Sequence, residues 1–263
     1  MNIACMVRED DQSQALAKTL KAQLIAAGHV LNETHPDLVI FVGGDGTFLR
    51  SIQQYLPRLN QLTFVGIHSG TLGFFCEYHA DQISQLVQQL PKMVMEASTY
   101  PLVEISLMGK KKTSFYAVNE VRVENPFHTF VTDVYVNDQH LQTFRGTGLI
   151  VASTLGSSAY NKSLGGALVD ASIPSLQLTE MATIQNNAYR SLGSSLVLDA
   201  KKKITFKGDF AKAIVGYDYL LAEINEHIQE IQVTTSPLTF KLYHQKQHPY
   251  FDTLKKTFVK NRD

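Results

Sequence analysis

The residue of this chain best equipped for chemistry is an aspartate set among three glycines. Leu38-Val39-Ile40-Phe41-Val42 is followed by Gly43-Gly44-Asp45-Gly46, and Thr47-Phe48-Leu49-Arg50 resumes with helical character. The apolar run reads as a strand buried on both faces, as in a parallel sheet. Glycines let the backbone approach a ligand closely. A helix N-terminus behind them offers unpaired N–H groups and the positive end of a dipole. A strand, turn and helix of this kind suit a phosphate. The spacing fits neither Gly-x-x-x-x-Gly-Lys-Ser/Thr nor Gly-x-Gly-x-x-Gly. Asp45 is an anion inside a site built for anions. It is either an N-cap or Asx-turn residue, or a general base that takes a proton from a hydroxyl while the loop holds a phosphoryl donor.

Other polar groups stand where scaffold residues would not be expected. Asn119-Glu120 lies inside the strand-like run 115–123, where adjacent side chains point to opposite faces. At least one of the pair therefore leaves the solvent side and needs partners, either structural ones or the hydroxyls of a ligand. Ser153-Thr154-Leu155-Gly156-Ser157-Ser158-Ala159-Tyr160-Asn161-Lys162-Ser163-Leu164-Gly165-Gly166 follows the apolar run 149–152 and reads as a donor-lined loop entering a helix. It lacks Gly-x-Ser-x-Gly, which disfavours a hydrolase nucleophile. Arg145, in Arg145-Gly146-Thr147-Gly148, is a clamp for phosphate or carboxylate. His68, at a strand end, is either a hydrogen-bonded structural residue or a catalyst. Of Phe74 and Phe75, one belongs to the core and the other is free to stack on a nucleobase.

The elements that must position these residues fall into two textures. Up to about residue 97, strand and helix alternate. Asn2–Val7 is a short strand, and residues 13–27 carry Leu16, Leu20 and Leu24 on one helical face, with Gly28 beyond as a C′ residue. Thr63–Ile67 is a further strand leading to a second glycine segment, 69–73. Asp81 caps a helix bearing Ile83, Leu86, Val87 and Leu90. This alternation predicts a doubly wound parallel sheet, with both glycine segments on the rim at the strands' carboxyl ends. From residue 98 to 247 short strands dominate, at 115–123, 131–136, 148–152, 196–198, 204–206, 213–217, 230–234 and 238–243, with a turn at Asn137-Asp138. The fold class is thus an α/β N-terminal domain, residues 1–97, and a β-rich, antiparallel, sandwich-like C-terminal domain, residues 98–247. The tail, residues 248–263, packs back on the first domain through Phe251, Leu254 and Phe258.

Composition narrows the partners. Acidic and basic residues balance at zero formal charge, so no bulk field points to nucleic acid or membrane. The lysine triplets 110–112 and 201–203 carry no interleaved aromatics and read as solvated hairpin tips. With 44% hydrophobic and 18% charged residues, the chain is globular. It has no apolar run of membrane-spanning length, and its start, Met1-Asn2-Ile3-Ala4-Cys5, has no leader pattern, so a cytoplasmic location is expected. Cys5 and Cys76 have no metal-ligand spacing and read as free buried thiols.

Taken together, Gly43-Gly44-Asp45-Gly46-Thr47, Asn119-Glu120 and Ser157-Ser158-Ala159-Tyr160-Asn161 resemble the three signature stretches of the NAD kinase family, in that family's order. The first alone has close relatives in lipid kinases and phosphofructokinases; all three are specific. The resemblance implies phosphoryl transfer from ATP, or in some bacteria polyphosphate, to the 2′-hydroxyl of the adenosine ribose of NAD, giving NADP. It implies Asp45 as base, with Gly44, Gly46 and Thr47 cradling phosphates and Phe74 beside the adenine. Asn119 and Glu120 bind the dinucleotide, and Ser158, Ala159, Tyr160, Asn161 and Ser163 line its pocket. Asp218 is a further pocket carboxylate, and Ala182 and Ile184 lie near a pocket shared between subunits of a homodimer or homotetramer. Mg²⁺ bridges the donor phosphates, with no dedicated protein cage. A ribose hydroxyl is a poor nucleophile, so it needs in-line positioning, charge neutralisation and a proton acceptor. Residues from both domains are required, which predicts a crevice between them.

Two departures stand out. Where the family usually reads Arg-Gly-Asp-Gly, this chain has Thr147 in place of the carboxylate, and a charged hydrogen bond is typically worth about 1.5–3 kcal/mol. The usual Thr-Pro-Ser/Thr-Gly is here Ser153-Thr154-Leu155-Gly156. Neither touches Asp45, so the reaction is expected to survive with altered affinity or dinucleotide preference. Two alternatives stay open: a dinucleotide-binding regulatory paralogue without turnover, and a kinase for another hydroxyl, such as a lipid's. The tail has six Lys/Arg across residues 241–262, with His244 and His248. If polyphosphate is a donor, Lys255 and Lys256 are where its use would be lowered by neutralisation.

Overall fold

The computed structural model describes residues 1–70, 73–224, 227–244 and 249–259. The chain forms two compact units, one of Met1–Tyr100 with Leu238–Asp263, the other of Pro101–Pro237. The return to the first unit thus comes at Leu238, ten residues before the boundary drawn from sequence. Thr71 and Leu72 of the second glycine segment, and His248 of the tail, lie outside the described residues.

In the first unit, β1 (Asn2–Val7) is followed by α1 (Asp11–Ala26), β2 (Val30–Leu31) and β3 (Leu38–Gly43). Asp10 caps α1 by accepting from the Ser13 N–H at 2.9 Å. At the other end Gly28, at φ 80°, and His29 donate to Ile25 O and Leu24 O, the paired bonds of a Schellman stop. Next come α2 (Asp45–Gln54), β4 (Thr63–His68), the two-residue β5 (Tyr78–His79) and α3 (Ile83–Glu96). β3 pairs with β1 and β4, and β1 with β2, all in parallel. Every residue of β3 and β4 is buried, which is why both read as unbroken apolar runs. Leu20 and Leu24 of α1 and Leu86, Leu90 and Met93 of α3 pack with Ile3, Ile40 and Val65. A second cluster gathers aromatic rings around Phe48 of α2, whose centroid is 5.1 Å from Phe41, 4.5 Å from Phe75 and 5.5 Å from Phe240. Asp81 does not cap α3. A 3-10 turn over Ala80–Gln82 precedes the helix, and His79 and Gln82 form the capping box there.

β6 (Ser98–Met108) carries the chain into the second unit, where β7 (Lys112–Ala117) and β8 (Glu120–Glu124) follow. β9 (Phe130–Val136) and β10 (Gln139–Gly146) are joined by Asn137 and Asp138, at φ 49° and 68°, the positive pair that a two-residue hairpin requires. After them come β11 (Gly148–Ser153), the four-residue α4 (Tyr160–Ser163), β12 (Ser175–Met181), β13 (Leu196–Asp199), β14 (Ile204–Lys207), β15 (Ile214–Tyr217) and β16 (Leu220–Ala222). Six of these strands make an antiparallel sheet in the order β13-β12-β11-β8-β15-β16. β17 (Glu230–Leu242) pairs antiparallel with β14, and β14 with β9. Alternate residues of both sets fill one core, among them Val121, Val123, Leu149, Val151, Phe144, Phe206, Ile231 and Val233. β17 is one strand across what the sequence divides at Ser236-Pro237. Its last residues, Lys241 and Leu242, pair in parallel with β4 in the first unit. There α5 (Pro249–Leu254) follows. Phe258 lies 5.8 Å from the Phe74 ring, and Phe251 is 57% exposed.

Candidate active site

Gly43 ends β3 at φ 153°, and a Cβ there would meet the Thr47 side chain, so only glycine fits. Gly44 caps α2 without any side-chain bond, and a Cβ on Gly44 or Gly46 would meet only open space. Asp45 is the first residue of the helix. Its side chain does not cap its own helix. It crosses to another loop instead, Oδ2 accepting from the Phe74 N–H at 3.0 Å and Oδ1 from the Phe75 N–H at 3.1 Å. Burial raises the Asp45 pKa above the ordinary aspartate value, and the two N–H donors oppose that shift.

The phenylalanine ambiguity resolves by burial. Phe75 is 4% exposed and packs on Phe48, while Phe74 remains half-buried and available. Of the remaining rim residues, His68 is buried, with Nδ1 2.9 Å from Gly70 O and its ring 4.0 Å from that of His79. Burial, then the neighbouring His79, lower its pKa, so the ring is neutral at pH 7.

In the second unit the expected strand 115–123 is broken at Val118-Asn119. The cause is Asp218, at φ 48° in the turn joining β15 to β16. Its carboxylate accepts from the N–H groups of Val118 (2.8 Å), Asn119 (2.8 Å) and Glu120 (3.4 Å). Ser153 closes the same knot, its hydroxyl donating to Val118 O at 2.6 Å and its N–H to Asn119 O at 2.7 Å. Gly156 lies so close that a Cβ would overlap Asn119 O. Both Asn119 and Glu120 are buried, at 9% and 5% exposure, and Asn119 Oδ1 and Glu120 Oε2 have no hydrogen-bond partner among the described residues. Burial, then the Asp218 charge, push the Glu120 carboxyl up to about 8; burial takes Asp218 to about 6. Two unsatisfied acceptor atoms in a buried knot are what a ligand's hydroxyl or amine groups would complete.

The hydroxyl-rich stretch forms two short turns, Leu155–Ser158 and α4, not one long helix. Ser157 is structural, its hydroxyl bonding Val169 N and O. Ser158 and Ala159 are half-buried, while Tyr160 and Ser163 are exposed. Asn161 is wholly buried, and neither polar atom of its side-chain amide has a hydrogen-bond partner among the described residues. Arg145, Thr147, Ala182 and Ile184 make a separate group. Ile184 N–H donates to Arg145 O at 2.8 Å, Thr147 N–H to Met181 O at 2.9 Å, and the Arg145 guanidinium lies 4.5 Å from the Tyr189 ring centroid. Ala182 has φ 43°. The two groups mark opposite ends of β11, near Ser153 and Gly148, about 17 Å apart along the strand. Sequence reasoning placed Ser153 and Gly156 in the donor-lined stretch without naming Asn119 as their neighbour, and it missed Tyr189. The closeness of Gly156 to Asn119 and the stacking of Tyr189 are long-range contacts that leave no local pattern.

Residues 6–95 match the ATP-NAD kinase N-terminal domain and residues 118–245 the ATP-NAD kinase C-terminal domain. The chain belongs to the NAD kinase family. It is 34% identical over 266 residues to NAD kinase 1 of Bacillus cereus strain ATCC 10987, covering 100% of both chains. To NAD kinase 1 of Listeria monocytogenes serotype 4b it is also 34% identical, over 96% of this chain and 97% of the relative. The family's fold is equally clear. A yeast NADH kinase complexed with NADH superimposes with a TM-score of 0.86 at 15% identity, covering 100% of this chain and 89% of that one. An NAD kinase from Archaeoglobus fulgidus in complex with ATP gives 0.78 at 23% identity, covering 97% and 98%. Among the described residues, no three carboxylate, imidazole or thiol side chains cluster to hold a metal ion. None of the described helices is long and apolar enough to cross a membrane.

Proposed function

We propose that the chain phosphorylates the 2′-hydroxyl of the adenosine ribose of NAD, with Asp45 accepting the hydroxyl proton. Phosphorylation of NAD by ATP is the activity of the family to which the chain belongs, and the chain is an enzyme of that kind. The position of the acceptor hydroxyl and the residue roles are the finer reading. The observation that carries them is the Asp45 carboxylate at the head of α2, beside a glycine turn open on one side.

In this reading the first unit supplies the proton acceptor and, from the amides around Gly44, Gly46 and Thr47, neutralisation of phosphate charge. The second unit supplies dinucleotide binding. Asn119 Oδ1 and Glu120 Oε2 accept from ribose hydroxyls, with Asp218 holding both residues in place; Ser158, Ala159, Tyr160, Asn161 and Ser163 complete that wall. Phe74 stacks on the adenine. Arg145, Thr147, Ala182 and Ile184, at the far end of β11, serve a pocket shared with a second copy in a homodimer or homotetramer. A divalent cation such as Mg²⁺ would be held by the nucleotide's own phosphates and would offset their charge, with no protein cage needed. The bacterial NAD kinase relatives support a cytoplasmic location.

The test is a coupled assay. NAD, ATP and Mg²⁺ should give NADP, and 2′-deoxyadenosine NAD should give no phosphorylated product. Tight NAD binding without turnover would overturn the assignment, and turnover with polyphosphate in place of ATP would widen the donor range.

A further inference from the structure

Gly73 is a position with no room for a side chain. What excludes a side chain is Asp45. A Cβ on Gly73 would overlap Oδ1 of that carboxylate and lie 2.7 Å from its Cγ and 2.9 Å from Oδ2. The next two residues then donate their N–H groups to the two carboxylate oxygens. The segment is anchored by Phe75, whose ring packs 4.5 Å from Phe48, three residues along the helix that Asp45 begins. Cys76 adds a contact from Sγ to Gly43 O at 3.7 Å. The carboxylate is thus gripped by a loop that is itself pinned to α2.

We infer that Gly73 is a positioning residue for phosphoryl transfer: its bare Cα and the N–H groups of Phe74 and Phe75 form a cradle that fixes the direction of the Asp45 carboxylate. The inference rests on the reading of Asp45 as proton acceptor. Two consequences follow from the geometry. A side chain at residue 73 pushes the carboxylate off its line of attack, and a misplacement of ~1 Å can cost 10²-fold in rate. It also pulls the carboxylate away from two donors that favour the ionised form, so the base protonates at higher pH.

The experiment is Gly73→Ala in the full chain, with kcat, both KM values, Tm and the pH dependence of kcat measured. The expected result is a fall in kcat of about ten- to a hundredfold with KM values for NAD and ATP unchanged. The acid limb of the kcat profile should move to higher pH. A stability cycle reads the contact without catalysis. Gly73→Ala should lower Tm in the parent chain and cease to do so in an Asp45→Ala background, where the obstructing carboxylate is gone. If Gly73→Ala alone is too unstable for kinetics, recovery of Tm in the double variant supports the cradle and its absence overturns it. Full kcat in Gly73→Ala, a loss confined to KM, or an equal Tm cost in both backgrounds overturns it too. Asp45→Asn measured alongside separates the two claims. An active Asp45→Asn overturns the role of Asp45, whereas an inactive one beside a fully active Gly73→Ala overturns the cradle alone.

Discussion

Asp45 in the first unit and Asp218 in the second each take two or more backbone N–H groups from a distant segment, and the two are read as serving different uses. Asp218 accepts three consecutive N–H groups, from Val118, Asn119 and Glu120, and is itself 6% exposed. Its bonding capacity goes into holding the backbone of its neighbours. Asp45 accepts two N–H groups, from Phe74 and Phe75, is half-buried, and sits next to glycines that leave space open beside it. Glu120 is a third case, with Oε2 buried and without a hydrogen-bond partner among the described residues. Residue type therefore does not separate scaffold from reagent here. The separation comes from how many lone pairs the protein has already filled.

That contrast can be broken experimentally. The largest effect is expected at Asp45. Asp45→Asn keeps the shape and one of the two accepted N–H bonds but removes the proposed proton acceptor, so kcat for NADP formation should drop by about 10²–10⁴, the usual worth of a general base, with NAD binding retained in calorimetry. The opposite signature is expected at Asp218. Asp218→Ala strands three backbone donors, each costing about 1–3 kcal/mol when buried, so denaturant titration should report a loss of about 3 kcal/mol or more. A stable Asp218→Ala with lost turnover would reverse the roles assigned to the two aspartates.

The effect at Glu120 is smaller and depends on pH. Its carboxyl is raised from 4.5 to about 8, so between those values the folded chain holds a proton that the unfolded chain releases. Stability from this group is complete below the unfolded value and is lost as pH rises through about 8. Tm should therefore decline from about pH 5 to about pH 8, and Glu120→Gln, which mimics the neutral acid, should flatten that slope and be the more stable protein at the upper end. An unchanged slope in Glu120→Gln would assign the pH dependence elsewhere, with Asp218 the next candidate.

The same contrast explains what the sequence could and could not reveal. β3 was readable because Leu38–Val42 is apolar on both faces, and β11 because residues 149–152 form an unbroken apolar run, all of it buried. Asp45 stood out because three local glycines surround it. The break at Val118-Asn119 was not readable, because the residue that captures those N–H groups is about a hundred positions away. The two runs read separately at 230–234 and 238–243 are one strand, β17, which passes through Pro237. The choice between Phe74 and Phe75 depends on which ring reaches Phe48, a fact of packing and not of pattern. The capping box of the 3-10 turn that precedes α3 went to His79 and Gln82, against the stronger local preference for Asp81 as a cap.

The most direct test of Asp45 as proton acceptor is the pH dependence of a single turnover, with NAD and MgATP saturating. The parent enzyme should lose rate on the acid side, with an apparent pKa above the ordinary aspartate value of 3.8, because burial raises this carboxyl. The residual rate of Asp45→Asn should show no such limb. The same acid limb persisting in Asp45→Asn would contradict the account, for the proton would then be leaving to some other group.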